Sequence, residues 1–386
     1  MSLSRRALFK SGSLISLGLG CGAYLTWQAA PDIAMLSAFS NTGGNHFAAL
    51  LGSGGEILHQ VSLPRRSHAA IYNRHQDEAL FFCRRPGNQI FVFKRNSAAL
   101  SQIISANAGR HFYGHGILVD DGRILLATEN HYQSGAGVVT VRDTRNNYRV
   151  INEIPSHGIG PHELVSFADG SRIAIANGGL RTHPDASRVP LNLNDMNPNV
   201  SVVDWQTGAL LQQYRPGNHR LSLRHLSLNS EGKIFVGGQL QGASAKATPL
   251  VMTAEPRQGL REMTTPDSFS RQQKFYTASV CCVQSNTRCR AVTSFPKGNS
   301  LTLWDDEKII AQIQRRDIAG VCQLKDQSVV FSTGTGDIGA LDLDQSHSDQ
   351  SDLNQSQLHQ TQVDQAKAST LREYPGIRWD NHLIAV

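Results

Sequence analysis

Short apolar segments separated by polar turns recur along the chain. In three places an apolar segment of strand length opens with a histidine, reaches an Asp-Gly or Glu-Gly turn and continues into a second apolar segment. These copies begin at His115, His162 and His225. Two apolar segments joined by such a turn are typical of a β-hairpin. Each copy therefore predicts a pair of antiparallel strands.

The hairpin pattern extends to seven repeats. A fourth copy with a longer turn runs from His68 to Arg84, Ala278 and Gly320 take the histidine position in two others, and His382 opens the last copy. The first three histidines are 47 residues apart, and the later intervals are 63, 53, 42 and 62 residues. A four-stranded propeller blade needs about 40 to 50 residues. The repeats predict an all-β, seven-bladed β-propeller over residues 31–386.

The two ends of the chain are complementary. The last repeat stops after a single strand, 382–386, whereas segments 33–40, 47–51 and 56–63 form three strands without a first one. The C-terminal strand is therefore predicted to complete the N-terminal blade. Closing the ring of blades in this way leaves only short strand edges exposed.

Two segments interrupt the repeats. Residues 344–370 are rich in Gln, Ser and Asp and poor in apolar residues, which predicts a disordered insertion before the last strand. Residues 243–275 show little alternation and are interpreted as an irregular excursion between blades.

The N-terminal segment, 1–30, has the composition of a targeting sequence. Arg5 and Arg6 precede a mildly apolar stretch rich in Gly, Leu and Ser. This arrangement resembles a twin-arginine export signal, so the segment is set aside from the fold. A periplasmic protein is expected, with an uncleaved or lipid anchor as an alternative to a cleaved signal.

The charge distribution argues against nucleic acid as a partner. The chain has 37 Lys and Arg against 31 Asp and Glu, a net charge of +6. The positive residues are scattered, and no basic stripe with interleaved aromatic residues is present. No sequence motif of a known catalytic class identifies a reaction.

The histidines carry the strongest chemical signal. The first strand of a propeller blade lines the central channel, so residues opening these strands lie near one rim. Five of them are histidine: His68, His115, His162, His225 and His382. Converging imidazoles can hold iron, copper, zinc or haem. Alternatively, they serve as structural pegs that hydrogen-bond the backbone of the next blade.

The hairpin turns also predict neighbours of the histidines. Counting back from each turn centre places Arg84, Glu129, Asn177 and Gln239 opposite His68, His115, His162 and His225. Together with Arg110, these residues are predicted to bind a ligand at the rim. The same counting, about a turn centred near 285.5, places Cys282 opposite Cys289, which predicts either a disulfide or two buried thiols.

Several motifs resemble those of a known family. They are Arg84-Arg85-Pro86-Gly87, Gly109-Arg110-His111-Phe112-Tyr113-Gly114-His115-Gly116, Gly158-Ile159-Gly160-Pro161-His162-Glu163, Asn177-Gly178-Gly179 with Thr182-His183-Pro184, and Arg224-His225-Leu226. From about residue 33 to the end, the chain resembles bacterial domain-of-unknown-function family fifteen-thirteen. The resemblance implies an exported propeller, often encoded near imelysin-type periplasmic iron-uptake proteins, which would be its partners, and near di-haem oxidoreductase-like proteins.

These observations lead to one expected function and two alternatives. The expectation is a binding or accessory protein in periplasmic iron or other metal acquisition, with the histidine-lined rim as its ligand site. The first alternative is a metal-dependent enzyme, redox or hydrolytic, that uses the same rim. The second is a protein-interaction scaffold whose histidines are structural.

Overall fold

The computed structural model describes residues 32–85, 87–97, 99–186, 189–242, 247–284, 289–342 and 367–386. Strands are numbered along the chain. They form seven four-stranded antiparallel sheets, and the innermost strands of successive blades contact one another all the way around a closed ring. The predicted seven-bladed β-propeller is confirmed. The predicted export segment, 1–30, lies outside the described residues.

Blades 1 to 4 occupy the first half of the chain. Blade 1 consists of β1 (Met35–Asn41), β2 (His46–Leu51), β3 (Ile57–Leu63) and the last strand of the chain, β28 (Ile377–Ala385). Blade 2 consists of β4 (Ser67–Asn73), β5 (Glu78–Cys83), β6 (Gln89–Lys94) and β7 (Gln102–Ser105). Blade 3 consists of β8 (Arg110–Val119), β9 (Ile124–His131), β10 (Gly137–Asp143) and β11 (Arg149–Pro155). Blade 4 consists of β12 (Pro161–Ser166), β13 (Arg172–Asn177), β14 (Asn199–Asp204) and β15 (Leu210–Tyr214), with two 3₁₀ turns, Pro184–Ala186 and Leu193–Asp195, before β14.

Blades 5 to 7 follow the same plan. Blade 5 consists of β16 (Leu221–Leu228), β17 (Ile234–Leu240), β18 (Val251–Glu255) and β19 (Gly259–Glu262), followed by a one-turn helix α1 (Phe269–Gln272). Blade 6 consists of β20 (Ser279–Gln284), β21 (Cys289–Phe295), β22 (Ser300–Asp305) and β23 (Lys308–Gln314), with a 3₁₀ turn at Pro296–Gly298. Blade 7 consists of β24 (Ile318–Gln323), β25 (Val329–Thr333), β26 (Asp337–Asp342) and β27 (Lys367–Glu373). Within the described part of the chain, no helix has the length and apolarity to cross a membrane.

The core lies between the blades, so both faces of a central strand are buried. On β5, Phe81 packs in a cluster with residues of blade 1, and the next residue, Phe82, packs with Phe112 of blade 3. Successive side chains point to opposite faces of a strand. A strand whose side chains are buried in the cores on both sides of its blade therefore has a continuously apolar sequence, which explains the short apolar segments of the chain.

The ends of the chain meet in blade 1. β28 pairs antiparallel with β1, with Met35 opposite Ala385 and Ser37 opposite Leu383. The indole of Trp379 contacts Phe39 edge-on at 5.2 Å, and its Nε1–H donates to the carbonyl of Gly336 in blade 7 at 3.2 Å. The predicted closure by the C-terminal strand is confirmed, and Trp379 joins blade 1 to blade 7.

Two predicted boundaries are wrong. The predicted excursion, 243–275, contains β18 and β19, which complete blade 5 because Val251–Glu255 pairs with β17. The predicted insertion, 344–370, extends too far, since Lys367 already begins the outer strand of blade 7 and pairs with Asp342. Residues 344–366 lie outside the described residues. The outer strands β19 and β27 are largely exposed and carry little apolar pattern, whereas β18 is buried but only five residues long.

The predicted cysteine pairing is also displaced. In the β20–β21 hairpin, Cys282 is opposite Ala291, and Cys289 is opposite Gln284. The turn centre is therefore one residue later than predicted. The side chain of Cys289 lies outside the described residues.

Trp379 provides a test of the closure. Trp379→Ala removes a side chain that is 2% exposed, and large-to-small core substitutions of this kind cost about 3–5 kcal/mol. Equilibrium denaturation should show this loss of unfolding free energy, with Trp379→Phe losing clearly less because it keeps an aromatic ring. Equal stability of the alanine variant and the wild type would contradict a tight closure.

Candidate metal centre

The innermost strand pairings break at the histidines. In blade 2 the register shifts between Ser67 and Ala70, on either side of His68. In blade 3 it shifts between Phe112 and Gly116, around His115. In blade 4 it shifts between Pro161 and Glu163, around His162. In blade 5 His225 is the first paired residue after such a shift, and His382 lies in the shift of β28 against β1. A β-bulge bends a strand and redirects side chains. The irregularity recurs in each blade that carries a histidine, and blade 7 also has it between Ile318 and Val321, where Gly320 takes the histidine position.

The five imidazoles meet in one cluster, called here the histidine cluster. Its members are His68, His115, His162, His225 and His382, and all are at most 8% exposed. His115 lies in the middle: its ring centroid is 4.6 Å from that of His382, 4.8 Å from that of His162, 5.0 Å from that of His68 and 6.1 Å from that of His225. Side chains from five different blades are thus brought to one place.

Two overlapping triads have metal-ligating geometry. In each, one ring nitrogen per residue lies within 4.8 Å of the others. The triads are His68, His115 and His162, and His115, His225 and His382. His115 belongs to both. Because metal–nitrogen bonds are about 2.0–2.1 Å long, two nitrogens bound to one ion are at most about 4.2 Å apart, so a single ion near His115 would draw the nitrogens of a triad closer together than the 4.8 Å bound.

Asp380 orients His68 from the neighbouring blade. Its Oδ1 lies 3.1 Å from His68 Nδ1, and its Oδ2 accepts from Arg66 Nε at 2.6 Å. Arg84 donates to the same carboxylate at 3.2 Å. Burial by itself raises the pKa of Asp380, but the hydrogen bond with His68 and the charges of Arg84 and Arg66 hold it well below its ordinary value. Asp380 is therefore a carboxylate and accepts the Nδ1–H of His68.

Glu163 has the same relation to two other histidines. Its Oε2 is 3.2 Å from His225 Nδ1 and accepts the amide N–H of Leu226 at 3.1 Å, while its Oε1 is 3.6 Å from His115 Nδ1. Burial raises the pKa of Glu163 to about 7, although His382 and the Leu226 N–H act in the opposite direction. A cation in the histidine cluster favours the ionised form of this carboxyl group.

These carboxylates determine which imidazole nitrogen is available. A neutral imidazole that donates through Nδ1 presents the lone pair of Nε2, so His68 and His225 offer Nε2. Within the described chain, His115 Nε2, His162 Nδ1 and His382 Nε2 are buried and have no hydrogen-bond partner. Orphaned buried polar atoms cost about 1–3 kcal/mol each. Metal-ligating histidines commonly donate their other nitrogen to a carboxylate, and this cluster has that arrangement.

Burial keeps the histidine cluster uncharged. Desolvation, followed by repulsion from His225, lowers the pKa of His382 to about 4. Desolvation and the charge of Arg224 lower that of His225 to about 3. The pKa values of His68, His115 and His162 are likewise lowered, chiefly by desolvation. Neutral imidazoles are the form that binds a metal ion.

One side of the histidine cluster opens to a small cavity. Its volume is about 130 Å³, and His68, His162 and His225 form part of its wall. The rest of the wall is Arg84, Arg85, Tyr113, Arg224, Gln239, Tyr276 and Asn381. An ion held by the cluster therefore has one face toward a space that can admit a small molecule.

The structure brings only two of the five predicted ligand-binding residues to this cavity. Arg84 and Gln239 line it. Arg110 instead forms an ion pair with Glu153 at 2.7 Å. Glu129 is fully buried and pairs with Arg142 at 2.9 Å, and Asn177 is fully buried among hydrogen-bonding side chains of its own blade, including Asn199.

The predicted cross-strand partners of the histidines are wrong. Instead of a histidine, the strand residue opposite Asn177 is Pro161, and the one opposite Glu129 is Phe112. Gln239 is opposite Ser222. Cys83, the residue before Arg84, is opposite Ser67. Counting from the turn assumes an unbroken ladder, whereas the bulges add residues to the histidine strand. Arg84 and Gln239 reach the cavity despite this displacement.

Sequence reasoning missed the two orienting carboxylates. Glu163 directly follows His162, so regular alternation would point it away from the channel, but the bulge at Pro161–Glu163 cancels that expectation. Asp380 precedes His382 by two residues and acts on His68, which is 312 residues away. The adjacent acidic residue in His162-Glu163 and the i, i+2 spacing of Asp380 and His382 were the only local signals.

Substitution of Glu129 tests whether this residue stabilises its own blade, as its pairing with Arg142 indicates, and does not belong to the ligand site. Glu129→Gln leaves the Arg142 guanidinium, 4% exposed, without its counter-charge, and breaking a buried pair costs about 3–5 kcal/mol. Denaturant titration should show this loss. The double change Glu129→Leu with Arg142→Met should recover part of it, because neither charge is then left unpaired. Wild-type stability of Glu129→Gln would contradict the buried pair.

The neutral histidine cluster predicts acid sensitivity of the metal-free protein. Between pH 6.5 and about pH 4 the unfolded chain takes up protons on these histidines and the folded chain does not, because their pKa values are lowered. Stability is therefore lost as the pH falls, by up to about 1.4 kcal/mol per pH unit for each histidine kept neutral, less the opposite contribution of Glu163, whose pKa of about 7 lets the folded chain take up one proton over the same range. Unfolding free energies across this range should show the slope.

A matched pair of variants attributes the slope to the cluster. His382→Gln should reduce the slope of unfolding free energy against pH by up to about 1.4 kcal/mol per pH unit, the contribution of one proton. His219→Gln should leave the slope unchanged, since His219 is exposed. An unchanged slope in His382→Gln would contradict a neutral, buried His382.

The comparisons with known proteins agree with the fold but show no activity for this chain. Hydrazine synthase of Kuenenia stuttgartiensis is a solved structure similar to this chain, with a TM-score of 0.57 and 12% identity over 81% of this chain and 96% of that one. At this identity the likeness concerns the fold alone. No curated protein matches the sequence significantly.

The family comparison covers most of the chain. The model of DUF1513, described as a protein of unknown function, matches residues 61–386. This range includes all seven inner strands and every member of the histidine cluster. The resemblance found from the sequence motifs is confirmed: the chain belongs to the DUF1513 family of proteins of unknown function.

Proposed function

We propose that this propeller is an exported metal-binding protein, with an accessory role in periplasmic iron or other metal acquisition, and that the histidine cluster is its metal site. The observation that supports the proposal best is the set of orphaned nitrogens. His115 Nε2, His162 Nδ1 and His382 Nε2 are buried without a hydrogen-bond partner among the described residues, and within each triad one ring nitrogen per residue lies within 4.8 Å of the others. A metal ion would satisfy several of these lone pairs at once.

A purely structural role for the histidines accounts less well for the contacts. A peg should donate to the backbone of a neighbouring blade. In the described chain, the imidazole hydrogen bonds of the cluster go to carboxylates, from His68 to Asp380 and from His225 to Glu163. Carboxylate–histidine pairs fix the tautomer of a metal ligand. The backbone carbonyls of His115 and His162 do accept from Thr128, but those bonds do not involve the imidazoles.

The donor set favours a first-row transition metal. Imidazole suits iron, copper, zinc and nickel, with copper bound most tightly in general. The cavity beside the cluster, about 130 Å³, is smaller than the roughly 300–1,000 Å³ of a typical cofactor pocket. The size of this space favours a bare ion over haem.

The proposed periplasmic location and partners rest on the N-terminal segment and on the family resemblance. Arg5 and Arg6 stand before an apolar stretch in the manner of a twin-arginine signal, which supports export. The family resemblance implies neighbouring genes for iron-uptake proteins, and these are the proposed partners. A metal-dependent enzyme is the alternative that the open cavity supports, because a metal with a free coordination position can activate water or substrate.

Metal analysis of the natively exported protein tests the proposal. We expect about one transition-metal ion per chain by mass spectrometry. His115→Ala should abolish stoichiometric binding because His115 belongs to both triads, and Asp380→Asn should weaken binding about 10- to 100-fold through loss of orientation of His68.

The matched control is His111→Ala. His111 is also fully buried and its Nε2 also lacks a partner in the described chain, but it belongs to neither triad. This variant should retain the metal. Metal-free wild-type protein that also fails to take up Fe²⁺, Cu²⁺ or Zn²⁺ would contradict the proposal and favour the scaffold alternative.

A further inference from the structure

The cavity above the histidine cluster is lined by hydrogen-bond donors. Among its described lining residues there are three arginines, two tyrosines and two amide side chains, and no Asp or Glu. The wall opposite the histidines therefore presents positive charge and N–H or O–H groups. A lining of this kind suits an anion with several acceptor oxygens.

Arg85 is the arginine most available to such a ligand. Its guanidinium lies over the Tyr113 ring at 5.5 Å, and its side chain is half-buried. In the part of the chain that the structure describes, no carboxylate lies within ion-pair distance of it. Arg84 differs, since it already shares Asp380 with Arg66. Stacking on Tyr113 holds the Arg85 guanidinium in place at the mouth of the metal site.

The two tyrosines add hydroxyl donors. The amide Nδ2 of Asn381 donates to the Tyr276 hydroxyl oxygen at 3.0 Å, which leaves the hydroxyl proton of Tyr276 available to another acceptor. The Tyr113 hydroxyl has no hydrogen-bond partner among the described residues. Asn381 thus prepares Tyr276 to donate into the cavity.

The charges near the cavity require a counter-ion when a metal is bound. Arg84 and Arg85 line the cavity, and the only carboxyl groups in contact with the histidine cluster in the described chain are Asp380 and Glu163. Asp380 is already neutralised by Arg66 and Arg84. A divalent ion would add two positive charges to a partly buried site where uncompensated charge is costly.

We propose, on the basis of the proposed metal site, that the bound metal takes a small oxyanion as an additional ligand in this cavity, held by Arg85, Tyr113 and Tyr276. The space is small, about 130 Å³, which favours an anion the size of a small carboxylate or inorganic phosphate. The anion completes the coordination of the metal and neutralises the charge of Arg85.

Anion titration of the metal-loaded protein tests this inference. Oxalate and inorganic phosphate are the probes, added separately to the Cu²⁺-loaded full chain, with binding followed by calorimetry and by the electron paramagnetic resonance spectrum of copper. We expect one anion per metal and a changed copper spectrum. Oxalate binding with no phosphate binding identifies the carboxylate class, and the reverse result identifies phosphate.

Two variants make the test specific. Arg85→Gln should weaken anion binding about tenfold or more, the effect of one lost charge-assisted hydrogen bond, while the affinity for Cu²⁺ stays within about twofold. Arg110→Gln is the matched control, since Arg110 is paired with Glu153 and does not line the cavity. It should bind both metal and anion like the wild type.

The outcomes separate this inference from the metal site itself. Retention of Cu²⁺ without binding of either anion, or equal anion affinity of the wild type and Arg85→Gln, overturns the inference and leaves the metal site standing. Equal anion affinity of metal-free and metal-loaded protein also overturns it, because the anion then binds independently of the metal. Removal of copper from the protein by oxalate appears as the spectrum of free copper oxalate and counts against a ternary complex. Failure of the wild type to bind Cu²⁺ at all contradicts the proposed function first.

Discussion

The pairing of one strand, β28, with β1 is the constraint on which the rest of the structure depends. It completes blade 1 from opposite ends of the chain and places blade 1 against blade 7. A row of blades left open would have two uncovered sheet faces and no defined channel. The same strand carries Asp380 and His382. Closure of the fold and completion of the histidine cluster are therefore a single structural event.

The histidine cluster has an electrostatic cost that explains its surroundings. Five imidazoles are removed from water, and burial lowers their pKa values so that each ring stays neutral at neutral pH, with one N–H and one lone pair. Asp380 and Glu163 compensate by accepting from the outward-facing nitrogens. What remains inside is a group of unprotonated lone pairs facing one another. A cation is the species that such a group accommodates best.

The wall of the cavity next to the histidine cluster has the opposite electrostatic character to the cluster itself. The cluster offers lone pairs, whereas the wall above it, with Arg85 and Tyr276, offers donors. A cation and an anion can therefore be accommodated side by side. The imidazoles come from the inner strands of five blades, whereas the donors come from several parts of the blades: Tyr113 lies in β8, Arg85 follows β5, and Tyr276 precedes β20. Both groups therefore depend on the packing of several blades and not on one segment of the chain.

The sequence by itself determined the number of blades, the closure and the five histidines, because hairpin turns, apolar segments and repeat spacing are local properties of the chain. The tertiary structure decided the rest. It put the bulges at the histidine strands, which displaced the predicted partners and turned Glu129 and Asn177 into the blades. It also brought Asp380 to His68 across 312 residues of chain. These contacts join different blades, and no regularity within one blade encodes them, since they arise only when the ring has closed.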